Sequence, residues 1–177
     1  MRENSSEITK YIHIARENHK KGNIYQANEI YKKLINQKIY TYELLISYGL
    51  FCKEINNLKI AKNLLILSIK KYPSKINSYI LLAEILRKEN KVNDALKTLY
   101  AAKKIEKSNS EIDYNLSISY KTIKSFREAI LSIDSAIKLQ PKNQIYQILK
   151  ADILVELFKN EEAKKLLVNL KLSNNSL

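Results

Sequence analysis

The sequence contains little of what breaks up helices or cross-links a chain. Its 177 residues include two glycines, two prolines, one cysteine and no tryptophan. Glycine and proline interrupt helices, so their scarcity is typical of a helical chain, and a single cysteine excludes an intramolecular disulfide. Hydrophobic residues make up 45% of the chain, which is enough for a sizeable buried core. The composition favours one domain built mainly from helices.

The sequence also lacks the features of secreted and membrane-spanning proteins. Cys52 has no second cysteine to pair with, and a lone thiol is typical of a reducing compartment. Residues 1–7 are polar and lack the apolar run of a secretory signal. No stretch of about 18 apolar residues is available for a membrane-spanning helix. We therefore expect a cytoplasmic protein without a membrane span.

Acidic residues are also in short supply, so that the net charge is +13. Such an excess is typical of proteins that bind RNA or another polyanion. However, Lys, Asn and Ile are all heavily used and have AT-rich codons, and a biased genome would produce much of the same basicity. Nucleic-acid binding therefore stays open as a second hypothesis, less favoured than a protein partner.

What the sequence does contain is two sets of small residues, each repeated every 34 positions. One set is Ala27, Ala61, Ala95, Ala129 and Ala163, and the other is Ala15, Gly49, Ala83, Ser117 and Ala151. Internal repeats of this length build solenoids of stacked helix pairs. We expect each small residue of one set to face its counterpart in the other, where two antiparallel helices pack closely. A larger side chain there would overpack the joint and cost about 1–3 kcal/mol.

The two sets define five units after the polar segment 1–7, and these units form a single domain over residues 8–177. The units are 8–41, 42–75, 76–109, 110–143 and 144–177. Each is predicted to hold two helices joined by a turn, such as 8–20 and 24–36 around Gly22 and Asn23. Asn56 and Asn90 mark the next two turns, because Gly and Asn tolerate the left-handed backbone that ends a helix.

Other residue types recur in phase with the small ones. The fourth unit carries the fullest pattern, with Leu116, Ser117, Tyr120, Phe126, Glu128, Ala129, Ala136 and Pro141. This pattern resembles the tetratricopeptide repeat family. The resemblance implies an all-α, right-handed solenoid of about ten antiparallel helices, whose first helices line a concave surface. Departures include Asp113 and Gln147, which stand where a bulky residue is expected.

Three further rows of residues share one face of the predicted first helices, at positions i, i+4 and i+7. The first row is Ile12, Ile46, Ile80, Tyr114 and Ile148; the second is Arg16, Leu50, Glu84, Ile118 and Asp152; the third is His19, Lys53, Arg87, Lys121 and Val155. We name these rows together the strip. They predict a groove with an apolar spine and a basic edge, suited to a peptide with apolar anchors and acidic flanks.

Two plainer interpretations of the strip stay open. The isoleucine row is equally consistent with packing between adjacent first helices, since apolar stripes at helical spacing usually belong to a core. The basic edge is equally consistent with a solvated face. Some relatives of the resembled family hold a C-terminal carboxylate with Lys and Asn side chains. Here Ile12 and Arg16 occupy those positions, so that mode of binding is not expected.

The sequence offers no set of residues for catalysis or for a metal ion. His13 and His19 lie on different helix faces without ligands at metal-binding spacing. Cys52 has no activating histidine nearby in the sequence, and it reads as a small buried hydrophobic residue. No phosphate-binding loop is present. We therefore expect a non-enzymatic binding module that needs no cofactor.

The last predicted helix, over residues 161–172, suggests two further hypotheses. It carries several apolar residues without a following helix to cover them, namely Leu166, Leu167, Val168, Leu170 and Leu172. An exposed patch of this kind usually has a partner, which would be a second copy in a homodimer or another domain of a larger transferase or assembly. Lys150, Lys164 and Lys171 make the unit more polar and favour a simple cap instead.

Overall fold

The computed structural model describes residues 5–174, with side-chain surroundings for residues 6–170, and over this range the chain is entirely helical. The ten helices are α1 (Ser5–Lys20), α2 (Ile24–Asn36), α3 (Tyr42–Glu54), α4 (Leu58–Lys71), α5 (Asn77–Lys88), α6 (Val92–Ile105), α7 (Ser110–Thr122), α8 (Phe126–Leu139), α9 (Gln144–Glu156) and α10 (Asn160–Asn174). This confirms the predicted all-α fold of about ten helices. Helix α1 begins earlier than residue 8, and the side chains of Lys171 and Leu172 lie outside the described set.

Each predicted unit contains two of these helices, and the turn between them has the same backbone geometry throughout. A residue with positive φ ends the first helix at intervals of 34 positions: Gly22, Asn56, Asn90, Lys124 and Phe158. In the first unit the amide of Asn23 donates to the carbonyl of Asn18, and the amide of Gly22 donates to that of His19. This pair of bonds satisfies the last carbonyls of the helix.

Asparagine and threonine side chains begin several of the helices. Thr41 Oγ1 accepts a 3.2 Å hydrogen bond from the amide of Leu44 at the start of α3. Asn109 Oδ1 accepts from the amide of Ile112 at the start of α7, at 3.0 Å. Each of these side chains satisfies an amide that has no partner inside its helix, which stabilises the helix by about 1 kcal/mol.

Both sets of small residues are buried, and across them α3 packs closely on α4 and α7 packs closely on α8. A Cβ atom added to Gly49 would lie 3.4 Å from Leu65 Cδ2 and 3.9 Å from the carbonyl oxygen of Ala61. Ser117 Oγ donates a 2.9 Å hydrogen bond to the carbonyl oxygen of Ala129. The expected pairing of Gly49 with Ala61 and of Ser117 with Ala129 is therefore confirmed.

The helices form two compact units, residues 1–85 and residues 86–177, which we call the N-terminal and C-terminal units. In the N-terminal unit, an aromatic cluster fills the space between α2 and α3. The rings of Tyr31 and Tyr48 stack with their centroids 5.0 Å apart, and Phe51 lies against both. Deeper contacts include a 2.8 Å hydrogen bond between the hydroxyls of Ser68 and Ser78.

In the C-terminal unit, α9 packs against α8. Ala129, Ile133 and Ala136 of α8 form one buried cluster with Tyr146 and Ile153 of α9. A second cluster joins α9 to α10 through Ala151, Leu154 and Ala163. The two clusters set the position of α9, the helix that carries the most exposed part of the strip.

Candidate peptide-binding surface

The first row of the strip is largely interior in the N-terminal unit. Ile12 is 0% exposed and Ile80 is 2% exposed, while Ile46 is partly buried. A residue with no accessible surface cannot contact a ligand unless the helices around it move apart. The geometry of Ile12 and Ile80 therefore matches the interpretation in which this row packs between helices.

The second and third rows of the N-terminal unit are held by contacts to neighbouring first helices. Arg16 Nη2 donates a 2.6 Å hydrogen bond to Ser47 Oγ, and Arg16 Nη1 lies 3.1 Å from a carboxylate oxygen of Glu43. Lys53 of α3 forms an ion pair with Glu84 of α5. These charged side chains connect α1 to α3 and α3 to α5.

The histidine of the third row has the same kind of partner. His19 Nε2 lies 3.1 Å from a carboxylate oxygen of Glu54, and the imidazole ring packs edge-on against Phe51 with the centroids 4.9 Å apart. The ring is therefore placed between an aromatic core residue and a partly exposed carboxylate. This contact again joins α1 to the next first helix, α3.

The same arrangement recurs in the C-terminal unit. Arg87 Nη2 donates a 3.1 Å hydrogen bond to Asn115 Oδ1, and Lys121 forms an ion pair with Asp152. Tyr114, from the first row, stacks against Tyr146 with the ring centroids 5.0 Å apart. Helices α7 and α9 are thus connected by one aromatic contact and one ion pair.

The polar contacts follow a spacing that is visible in the sequence but was missed there. Three pairs are separated by 31 positions, which is one repeat minus three residues: Arg16 with Ser47, Lys53 with Glu84, and Lys121 with Asp152. In each of the two ion pairs, a third-row residue contacts a second-row residue of the next 34-residue repeat. Opposite charges 31 positions apart in the sequence identify two of these three contacts, Lys53 with Glu84 and Lys121 with Asp152.

These contacts reduce the positive charge that the basic edge offers to a ligand. Its four basic side chains, His19, Lys53, Arg87 and Lys121, each have a polar or acidic partner on a neighbouring helix. Partly exposed ion pairs of this kind contribute about 0.2–1 kcal/mol each. An acidic ligand would have to displace these partners, so the edge attracts anions less strongly than its sequence suggests.

Accessible apolar surface of the strip is concentrated on α9. Ile148 is 54% exposed and Val155 is about half exposed, whereas Tyr114 and Ile118 of α7 are partly buried. In the N-terminal unit, Leu50 is the partly buried counterpart of Ile118. The strip is therefore most accessible at its end in the C-terminal unit.

The environment of Cys52 does not activate its thiol. Cys52 is buried, and the loss of solvation raises the pKa of its thiol to about 12. A thiol that stays protonated is a poor nucleophile and a poor metal ligand. Among residues 5–174, no group of three or more His, Cys, Asp or Glu side chains is placed to hold a metal ion. No helix in the described range has the length and apolar character needed to cross a membrane.

Comparison with solved structures decides the fold. No protein-family model and no curated protein matches the sequence. The structure superposes on that of MamA from Desulfovibrio magneticus RS-1, from residue 41 to its end, with a TM-score of 0.80 over 96% of both chains and 16% identity. It also superposes on TTC0263, a thermophilic TPR protein of Thermus thermophilus, with a TM-score of 0.76 over 92% of this chain and 89% of that one, at 13% identity. The chain has the tetratricopeptide-repeat fold.

The tetratricopeptide-repeat fold explains why the first helices of this chain contact one another. In each compact unit, a first helix packs both on its own second helix and on the first helix of the next repeat. The small residues face the second helix, while the strip runs along the contact between successive first helices. At identities of 13–16% the likeness shows the fold alone, so the function has to be argued from the surface of this chain.

Proposed function

We propose that the chain is a non-enzymatic, cytoplasmic protein-interaction module that binds a peptide or protein segment along the strip. Support comes from the fold, since helical repeats present extended binding surfaces in place of a catalytic pocket. The observation that carries the proposal furthest is Ile148, which is 54% exposed on a helix that Tyr146 and Ile153 fix against α8. An exposed aliphatic residue on a firmly packed helix is suited to anchor an apolar side chain of a peptide.

The proposed contact region in the C-terminal unit consists of Tyr114 and Ile118 on α7 and Ile148 on α9. All three belong to the first or second row and retain accessible surface. In the N-terminal unit, the equivalent region is Ile46 and Leu50 on α3. Beside these residues, Lys53 and Lys121 of the third row are paired with second-row acids, so apolar anchors should contribute more to affinity than acidic flanks do.

The same ion pairs favour a peptide over RNA. Polyanion binding relies on Lys and Arg side chains that can pair with phosphates and release counterions. Along the strip, the basic side chains already have partners on neighbouring helices. RNA would gain little from contacts that first have to break these pairs.

The proposal is tested by comparing partners of the full chain and of two variants. Ile148→Glu places a charge on the strip, and Leu131→Glu places the same charge at another exposed aliphatic position, on α8. The tagged proteins would be purified from the cell of origin, with partners quantified by mass spectrometry and helicity checked by circular dichroism. We expect Ile148→Glu to lose a partner that both the unmodified chain and Leu131→Glu retain. Equal recovery from all three would contradict the strip as the binding surface.

A further inference from the structure

A second surface lies at the α9–α10 face of the C-terminal unit. A shallow apolar groove of about 390 Å³ runs between these helices, lined by Val155, Asn160, Ala163, Lys164, Leu167 and Val168. Val155, Leu167 and Val168 are each about half exposed, while Ala163 is buried at the floor. Exposed apolar side chains that lie side by side, in contrast to ones scattered singly, mark a candidate site of interaction.

The equivalent groove one repeat earlier is occupied, and its occupant indicates which kind of structure packs there. It lies between α7 and α8, and α9 fills it. Ala129 and Ile133 on its floor are fully buried, in a cluster with Tyr146 and Ile153 of α9. Ala163 and Leu167 occupy the same repeat positions in the open groove. By continuity with this interface, the open groove is shaped for an amphipathic helix that lies as α9 does.

The filled groove also holds α9 through two ion pairs, one on each side. Lys121 of α7 pairs with Asp152 of α9. Asp134 of α8 pairs with Lys150 of α9, with 2.7 Å between the charged atoms. The helix that occupies this groove therefore presents an acid at one position and a base at the other.

In the open groove both of these charged positions are valine. Val155 replaces Lys121, and Val168 replaces Asp134. A charge on the incoming helix would gain no opposite charge at either position, whereas an apolar side chain there would cover a half-exposed valine. An apolar occupant is therefore favoured where α9 carries Lys150 and Asp152.

At one position of the open groove, a charged residue replaces an apolar one. Lys164 lines the open groove where Ile130 stands in the filled one. Its ammonium group would pair with a carboxylate at the edge of an incoming helix. Together with the two valines, this position defines a recognition pattern that differs from the one that α9 satisfies.

We propose that the α9–α10 groove binds an amphipathic helix of a partner protein, with a broad apolar face and a carboxylate placed beside Lys164. The site shares Val155 with the end of the strip, and its other lining residues lie outside the strip. The apolar face would include the positions that correspond to Tyr146, Lys150, Asp152 and Ile153 of α9.

A second copy of this chain fits the groove poorly. If its α1 docked as α9 does, it would present Lys10, Arg16 and Glu17 at three of the positions that should be apolar.

Two synthetic helices test the pattern against the full chain. The first has the sequence of residues 144–157, constrained to stay helical. The second is identical except for Lys150→Leu and Asp152→Leu. Binding would be measured by fluorescence anisotropy with a label on each peptide. We expect the leucine-substituted helix to bind at least about tenfold more tightly than the unsubstituted one.

A reciprocal change in the protein gives the control. Val155→Lys with Val168→Asp recreates the charges of the filled groove and should reverse the preference, so that the unsubstituted helix binds more tightly. Ile66→Asp, at a half-exposed aliphatic residue of α4, should leave both affinities unchanged. Equal affinity of the two helices for the unmodified chain, or a preference that the double variant leaves unchanged, overturns the proposal. Self-association in sedimentation experiments that Val168→Asp abolishes would assign the groove to a second copy and overturn it as well.

Discussion

Asp113 on α7 forms an ion pair with Lys103 on α6, and the aspartate is only 3% exposed. A bulky apolar residue is expected at this repeat position, so the pair takes the place of a core contact. The Lys103 side chain is about one third exposed, which leaves its charge partly solvated. Removing Lys103 should therefore cost more than removing Asp113, because it leaves a buried charge without a partner.

We predict that Lys103→Met lowers the free energy of unfolding by about 2 kcal/mol, because it leaves the buried carboxylate of Asp113 without its counter-charge. The double variant Lys103→Met with Asp113→Leu should recover most of this loss, since apolar residues can replace a buried pair. Urea denaturation of the three proteins measures both effects. A double variant less stable than Lys103→Met alone would show that the pair is needed for packing of α6 on α7.

A second prediction concerns the residues with positive φ in the turns between helices. Lys124 and Phe158 have positive φ values of 59° and 60°, where the corresponding turns have Gly22, Asn56 and Asn90. Because side chains with a Cβ atom are strained in this region, and asparagine less so than most, Phe158→Asn should stabilise the chain by about 1 kcal/mol. Phe158 is 91% exposed, so the substitution removes few contacts.

The matched control for the turns is Asn56→Gly, which should change the stability by only a few tenths of a kcal/mol, since asparagine already tolerates this backbone. Thermal unfolding followed by circular dichroism would compare the two variants. A loss of stability in Phe158→Asn would mean that the exposed ring makes a contact worth more than the backbone strain.

Two substitutions of Gly49 should change the stability of the protein in opposite directions. An added Cβ would meet Leu65 at 3.4 Å, which is ordinary van der Waals contact, so Gly49→Ala should fit. It should stabilise the protein by about 0.5–1 kcal/mol, because glycine inside a helix costs conformational entropy. Gly49→Leu should instead destabilise it by about 1–3 kcal/mol through overpacking against α4. Chemical denaturation decides both, and equal effects of Ala and Leu would refute the close approach of α3 to α4.

Cys52 should affect the alkaline stability of the protein. Burial raises the pKa of its thiol from about 9 to about 12, so the folded state disfavours the thiolate. The contribution is fully present below pH 9 and is lost as the pH rises towards 12, because the unfolded chain ionises first. Native protein should also react slowly with thiol reagents near pH 8, and unfolded protein quickly. The Cys52→Ala variant should show a shallower loss of stability over the same pH interval, and an identical pH profile would count against this assignment.

Binding to RNA should be weak despite the net charge of +13. We expect no retention of a single-stranded RNA oligonucleotide at about 150 mM salt, since the basic residues of the strip are paired and charge-driven binding falls steeply with salt. Filter binding over a salt series measures this directly. Tight binding that Lys53→Ala or Lys121→Ala weakens would favour the polyanion hypothesis over a peptide.

The period of 34 residues, the ten helices and the close packing at the small residues could all be predicted from the sequence. Each depends on local features that a sequence displays directly: the spacing of apolar residues, and small or left-handed residues at fixed intervals. Gly22 and Asn56 mark turns because their backbone tolerance is a property of the residue itself. Lys124 and Phe158 occupy the same geometry without that property, so only the structure reveals it.

Tertiary structure decided which parts of the strip are accessible. Ile12 and Ile148 are the same residue type at the same repeat position, yet one is fully buried and the other is half exposed. The difference arises because burial depends on which helix lies alongside, and periodicity within one helix carries no information about its neighbour. The offset that pairs Lys121 with Asp152 has the same origin. Sequence determined the repeating unit, while the placement of successive helices determined which charges are paired and which apolar residues remain open to a partner.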